Sequence, residues 1–202
     1  MSAVPARSRL PAVERRAAVL DAALRVFGEG SYGGATTAEI ARAASVSEPI
    51  LYRHFGSKRD LYCACLDEMW RRLRETVEQV VADEPDPREW LFAVPKAIGL
   101  LRAKSVHPNQ LWIQALSQAS EDPDLRRLVR KHVREVHDFV ADLYRRAQAE
   151  GGMAANLDPS AEAWVGLGIG LLRSVQDSLG GLLTQEDFEA ILQARRRSLL
   201  TA

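Results

Sequence analysis

Cysteine is nearly absent. Cys63 and Cys65 are the chain's two, too few for a disulfide framework. Spaced two apart on a helix they would point about 200° away from each other, which suits neither a bridge nor a shared metal. They read as packing residues of a reducing compartment. Long hydrophobic runs are also missing. The longest weakly polar stretch, 163–172, contains Gly166, Gly168 and Gly170 and is about half of what a membrane span needs, so no membrane partner is expected. The opening MSAVPARSRLP has arginines but no apolar segment, which predicts no secretory signal and makes the cytoplasm the default compartment. No stretch alternates with period two between turn signals, so strands are not expected. No Ser/His/Asp grouping or phosphate loop appears. His107 and His137 lack companions at metal-ligand spacing. These gaps predict neither an enzyme, nor a metal, nor a cofactor.

Net charge is lacking too, with 27 Lys and Arg against 27 Asp and Glu. The balance hides an asymmetry. Residues 1–60 carry nine basic against six acidic side chains, and residues 61–202 carry eighteen against twenty-one. A basic head and an acidic body point to nucleic acid at one end only.

What is present is helical periodicity, interrupted by glycine and proline. A first helix is predicted over 13–29, with Ala17, Leu20, Leu24 and Phe27 on one stripe. A second opens on Thr36-Thr37-Ala38-Glu39, a capping-box spacing. Ser45-Val46 makes a turn, and Ser47 is the natural cap of a third helix carrying Pro49 in its first turn. Leu51 and Phe55, four apart, would face inward. Glu48, Pro49, Tyr52 and Arg53 would then face out, with Ile50 and His54 at the edges. Ser57 caps a fourth helix reaching about residue 82. Beyond Asp83–Pro87 the pattern predicts a helix over 88–104 kinked at Pro95, then helices over 108–119, 122–150, 158–179 and 184–199. The fold class is all-α.

Two short helices with a polar, aromatic outer face form a shape that enters a DNA groove. The residues Thr36-Thr37-x-x-Ile40-Ala41, Val46-Ser47 and Leu51-Tyr52-x-His54-Phe55-x-x-Lys58-x-x-Leu61 closely resemble the DNA-binding signature of the TetR family of transcriptional regulators. The resemblance covers roughly residues 13–62; the remainder matches only in length and in its run of helices. Ser45 stands where that family typically has glycine. The resemblance implies a helix-turn-helix DNA-binding domain over 1–56 and a larger ligand-binding and dimerisation domain over 57–202. Ser47 to Phe55 would be the recognition helix in the major groove. Glu48, Pro49 and Ile50 match positions facing base edges, where Glu48 could accept from cytosine N4 and Ile50 could touch a thymine methyl. Tyr52, His54 and Lys58 match phosphate-gripping positions, with Thr36 and Thr37 expected to do likewise. Arg53 adds a base or phosphate contact, and Arg7 and Arg9 form either a basic arm or a plain tail.

The same resemblance implies a homodimer that represses from a near-palindromic double-stranded operator and is released by a small-molecule effector. Gly166, Gly170 and Ser174, each four apart and flanked by Trp164, Leu167, Leu171 and Val175, are expected to let a symmetry-related helix approach. The last two helices would then pair as a four-helix bundle. Trp70, Trp90, Trp112, Gln114, Phe139, Tyr144 and Arg173 are the expected pocket residues, since such sites combine apolar walls with few polar groups. The competing readings are an activator or ligand-independent regulator of the same fold, a helical enzyme, and a protein-binding scaffold.

Overall fold

The computed structural model describes residues 11–104 and 108–200. Among them lie ten helices and no strand: α1 (Ala12–Glu29), α2 (Thr37–Ala43), α3 (Glu48–His54), α4 (Lys58–Ala82), α5 (Pro87–Trp90), α6 (Ala93–Arg102), α7 (Pro108–Gln118), α8 (Pro123–Ala149), α9 (Pro159–Leu179) and α10 (Gln185–Leu200). The protein is all-α, with two compact units, Met1–Cys65 and Leu66–Ala202.

In the first unit, α1, α2 and α3 pack on one another around Leu20, Leu24, Phe27, Ile40, Leu51 and Phe55. Ala17, expected on the buried stripe, is exposed, and Val19 and Ala23 are buried in its place. Tyr62 is fully buried, its ring edge-on to Phe27 at 5.0 Å and tilted against Tyr32 at 4.7 Å. Burial, with smaller repulsion from Cys65, Tyr32 and Cys63, pushes its phenol well above the ordinary tyrosine value.

The turn after α2 is decided by hydrogen bonding. Val46 N–H donates to Ala41 O at 2.9 Å and Ser45 N–H to Arg42 O at 3.0 Å, the paired bonds of a Schellman cap. That geometry puts Ser45 at φ 56, the left-handed region where a Cβ is penalised.

In the second unit α8 is the long support, packed chiefly against α9 and also against α5 and α7. Asp122 accepts from the N–H groups of Asp124 and Leu125 at 2.9 and 3.0 Å, with Pro123 in the first turn. Asp158 and Pro159 repeat the device on α9. The C-terminus of α8 is a second Schellman cap: Gly151 takes φ 75, and Gly152 N–H reaches Ala147 O at 2.7 Å. Gly152 lies so near α5 that a Cβ there would come within 2.5 Å of the Pro87 carbonyl carbon. The core comprises Leu73, Val77, Leu91, Leu101, Val140, Tyr144 and Leu199 with their neighbours.

One expected helix proves to be two. The region 88–104 breaks at Leu91–Phe92, before Pro95. Proline lacks an N–H and sits without loss in a first turn, so α6 restarts at Ala93 and Pro95 lies just inside it. No helix among the described residues is long and apolar enough to cross a membrane.

Candidate functional site

The outer face of α3 is assembled by what its inner face buries. Leu51 is wholly inaccessible and Phe55 nearly so. Their burial turns Ser47, Pro49, Tyr52 and Arg53 to the exposed side and leaves Glu48, Ile50 and His54 partly covered. Ser47 has the extended backbone of a cap but makes no side-chain cap bond, so its hydroxyl is not spent on α3. Thr36 does spend its own, accepting from Glu39 N–H at 3.1 Å, and its side chain is exposed.

Thr37 does not share its neighbour's exposure. It is buried, its hydroxyl donates to Glu48, and Tyr52 Oη lies 3.1 Å away. A carboxylate only accepts, so the threonine hydrogen is committed to Glu48 and Tyr52 is the donor to Thr37. This three-residue chain ties α3 to α2 and fixes where two of its outward side chains sit.

Lys58 follows Ser57, whose Oγ accepts from Asp60 N–H at 3.0 Å as the cap of α4. Its Nζ lies 4.7 Å from the Tyr32 ring centroid, within cation–π range. Partial burial draws its ammonium below the ordinary lysine value. Arg7 and Arg9 lie outside the described residues.

The second unit holds a cavity of about 520 Å³, within the range that takes a small molecule. Its walls include Leu91, Phe92, Val140, Leu167 and Phe188. Of the seven residues expected there, Trp112, Tyr144 and Arg173 line it, and Trp70, Trp90, Gln114 and Phe139 do not. Trp70 and Phe139 pack edge-to-face on each other at 5.6 Å. The Trp90 indole donates to Glu84 O at 2.8 Å under the Arg146 guanidinium. Sequence reasoning missed Arg195, which lies in a run of three arginines that looks solvated. The signal was its spacing: Phe188, Leu192, Arg195 and Leu199 recur at helical intervals, and all line the cavity.

Helix α9 has two different sides. Gly166 faces α8, where a Cβ would meet Tyr144 Oη at 3.2 Å, and Ser174 is buried with its hydroxyl on Gly170 O. Gly166, Leu167, Gly170 and Ser174 thus belong to the cavity side of their own chain. Residues four apart keep to one side, and at Gly166 that side is met by Tyr144 of α8. The exposed apolar stripe runs instead through Trp164, Leu171, Val175 and Leu179, with Trp164 and Leu171 also bordering the cavity. His137, considered above as a metal ligand, stacks on Trp164 at 4.3 Å and bonds Asp138 and the Ser160 carbonyl. His107 lies outside the described residues.

A capped helix pair with an outward polar face, in a chain whose other unit is a helical shell around a cavity, defines a helix-turn-helix transcriptional regulator. Residues 19–65 match the family model for bacterial regulatory proteins of the tetR family, and residues 87–167 match that for the C-terminal part of BetI-type transcriptional repressors. The HTH-type transcriptional regulator BetI of Burkholderia cenocepacia (strain HI2424) is 32% identical over 152 residues, which is 71% of this chain and 78% of that one. AibR, solved in complex with isovaleryl coenzyme A and operator DNA, superposes with a TM-score of 0.63 at 25% identity, over 92% of this chain and 98% of that one. A transcriptional regulator from Saccharomonospora viridis, solved in complex with choline, shares the fold with a TM-score of 0.73 at 20% identity, over 92% and 95% of the two chains. The chain belongs to the TetR family. It is a transcriptional regulator of the BetI type, and not an enzyme.

Proposed function

We propose that this protein is a cytoplasmic, ligand-responsive repressor that binds a near-palindromic operator as a homodimer and leaves it when a small molecule occupies the cavity. The observation that carries the reading is the cavity itself, a ligand-sized space in the unit that does not contain α3. A regulator that only read DNA would have no use for it. In the head, α3 would lie in the major groove, with Glu48, Pro49 and Ile50 toward base edges. Thr36, Tyr52, His54 and Lys58 would hold phosphates, and Arg53 would add to either set. Thr37 would act through Glu48 and Tyr52. The division of labour would run near residue 56, with the DNA-reading part before it and the ligand-binding and dimerising part after. The exposed stripe of α9 supports a dimer, since Trp164, Leu171 and Val175 would be covered by the partner's α9. AibR, solved with isovaleryl coenzyme A and operator DNA together, supports the pairing of a small-molecule site with a DNA-reading head; release does not follow from that complex.

Release would be a population shift, in which the effector favours a dimer whose heads no longer match the operator spacing. A coupling of about 2–3 kcal/mol changes operator affinity on the order of 30- to 150-fold. Fluorescence anisotropy with DNA from upstream of the protein's own gene tests this. Affinity should exceed that for random DNA and fall with added salt. Equal affinity for the two DNAs would end the regulator reading. Reporter output that falls when the gene is deleted would exchange repressor for activator.

A further inference from the structure

We propose that the cavity recognises the anionic head of an apolar molecule, a carboxylate on a hydrocarbon chain, through Arg195 and Tyr144. The inference rests on the reading of this cavity as the effector site, and names the effector's chemical class.

The wall is apolar but carries three guanidiniums, those of Arg102, Arg173 and Arg195, and among its described residues no aspartate or glutamate. The counter-ions are not among the lining residues and number fewer. Arg102 and Arg173 share Asp177, at 2.9 and 3.3 Å. Arg195 pairs with Glu162 and donates to its backbone carbonyl at 3.1 Å. Three cations against two carboxylates leave this region one positive charge in excess.

The buried end of this arrangement is the selective one. The Arg195 side chain is 11% exposed, and its Nε–H has no hydrogen-bond partner among the described residues, nor has Oε2 of the Glu162 carboxylate paired with it. Tyr144 is 5% exposed, and the bond from its hydroxyl to Leu91 O is long at 3.4 Å. A phenol is a donor at neutral pH in any case; burial raises that of Tyr144 further, against an opposing pull from the Arg195 guanidinium. Gly166 leaves open the space beside that hydroxyl that a Cβ would take. An unmet guanidinium N–H and a phenol that lies against the same Arg195, beside a missing side chain, can turn together to an incoming acceptor. A chain of methylenes would lie against Leu91, Val140 and Leu167.

A quaternary ammonium such as the choline held by the Saccharomonospora viridis regulator would enter a wall already in positive excess, with Trp112 and Trp164 the rings left to receive it. Such cations need open aromatic faces. Two rings of this wall already carry guanidiniums, Arg173 over Phe188 at 4.9 Å and Arg196 over Phe92 at 5.3 Å. A second cation would meet the first.

The test is calorimetric titration of the full-length protein with three probes of equal chain length: decanoate, 1-decanol and decyltrimethylammonium. Decanoate should bind roughly tenfold or more tightly than 1-decanol, and decyltrimethylammonium most weakly. Tyr144→Phe should narrow the gap between decanoate and 1-decanol, and so should the charge-neutral pair Arg195→Met with Glu162→Gln, which strands no buried carboxylate. Equal binding of the anion and the alcohol, tightest binding of the cation, or no binding of any probe would each overturn the proposal. Variants that weaken both probes alike would overturn the assignment to these two residues. Anisotropy with upstream DNA in the same samples separates the readings. Decanoate that binds without altering DNA affinity upholds the anion site and sinks the effector role. Specific DNA binding in samples where calorimetry finds no probe bound sinks the anion site and leaves the regulator reading standing.

Discussion

The hydroxyl of Thr37, buried in α2, donates to the carboxylate of Glu48 at the start of α3. Tyr52, one turn further along α3, completes the chain from the other side at 3.1 Å. One hydroxyl therefore fixes both a residue proposed to face bases and a residue proposed to hold phosphate. Glu48 keeps its second oxygen free to accept from a base.

Thr37→Val keeps the shape and removes the link. Stability should fall by about 1 kcal/mol, the worth of a partly buried hydrogen bond, as read by urea denaturation. Operator affinity should fall about tenfold because both outward side chains lose their support. Unchanged affinity in a stably folded Thr37→Val would show that the link does not organise the reading face.

The outer face should divide by role. Tyr52→Ala and Lys58→Ala are expected to weaken binding to all sequences alike, with a shallower salt dependence for Lys58→Ala. Glu48→Ala and Ile50→Ala should instead change which base pairs are preferred, by about 1–3 kcal/mol at the contacted position. Selection from a randomised operator library checks both. A uniform loss from all four would dissolve the distinction.

Ser45 sits at φ 56 in a cap that two backbone bonds impose. Ser45→Gly removes the Cβ from the left-handed region and should stabilise the first unit by about 1 kcal/mol. Ser45→Val should destabilise it, because β-branching tolerates that region least. Thermal melts of the two variants should therefore move in opposite directions.

Gly152 has no such strain to relieve, and the outcome should be opposite to that at Ser45. Its missing Cβ would fall 2.5–2.7 Å from the backbone and ring of Pro87, and backbone cannot give way as a flexible side chain can. Gly152→Ala should cost about 1–3 kcal/mol, the usual penalty of overpacking. A melting temperature equal to that of the parent would mean that α5 moves freely away.

Leu171 and Val175 are exposed on the side of α9 away from Gly166. If that stripe meets its symmetry mate, Leu171→Glu with Val175→Glu would bury like charges across the two-fold and yield a folded monomer. Light scattering behind a sizing column measures the mass. A dimer that persists would move the interface elsewhere.

Much of the head was legible in the sequence because its determinants are local. Leu51 and Phe55, four apart, had to bury together, and that alone turned Tyr52 and Arg53 outward. Asp122-Pro123, Asp158-Pro159 and Gly151-Gly152 announced helix ends through backbone chemistry that acts within a few residues. The strain at Ser45 followed from one side chain standing at a turn that needs none.

What the tertiary structure decided were matters of which neighbour stands on which side. Thr36 and Thr37 look alike in the sequence, yet one is exposed and the other buried under α3. Gly166 and Ser174 look like a surface for another helix, yet Tyr144 of α8 stands against Gly166 and Ser174 is buried within its own chain. Arg195 looks like one of three solvated arginines, and only the approach of α8 and α9 makes it a buried donor beside Tyr144. Periodicity fixes the angle at which a side chain leaves its helix; contacts between residues distant in the chain fix what waits there, and those contacts leave no mark in local spacing.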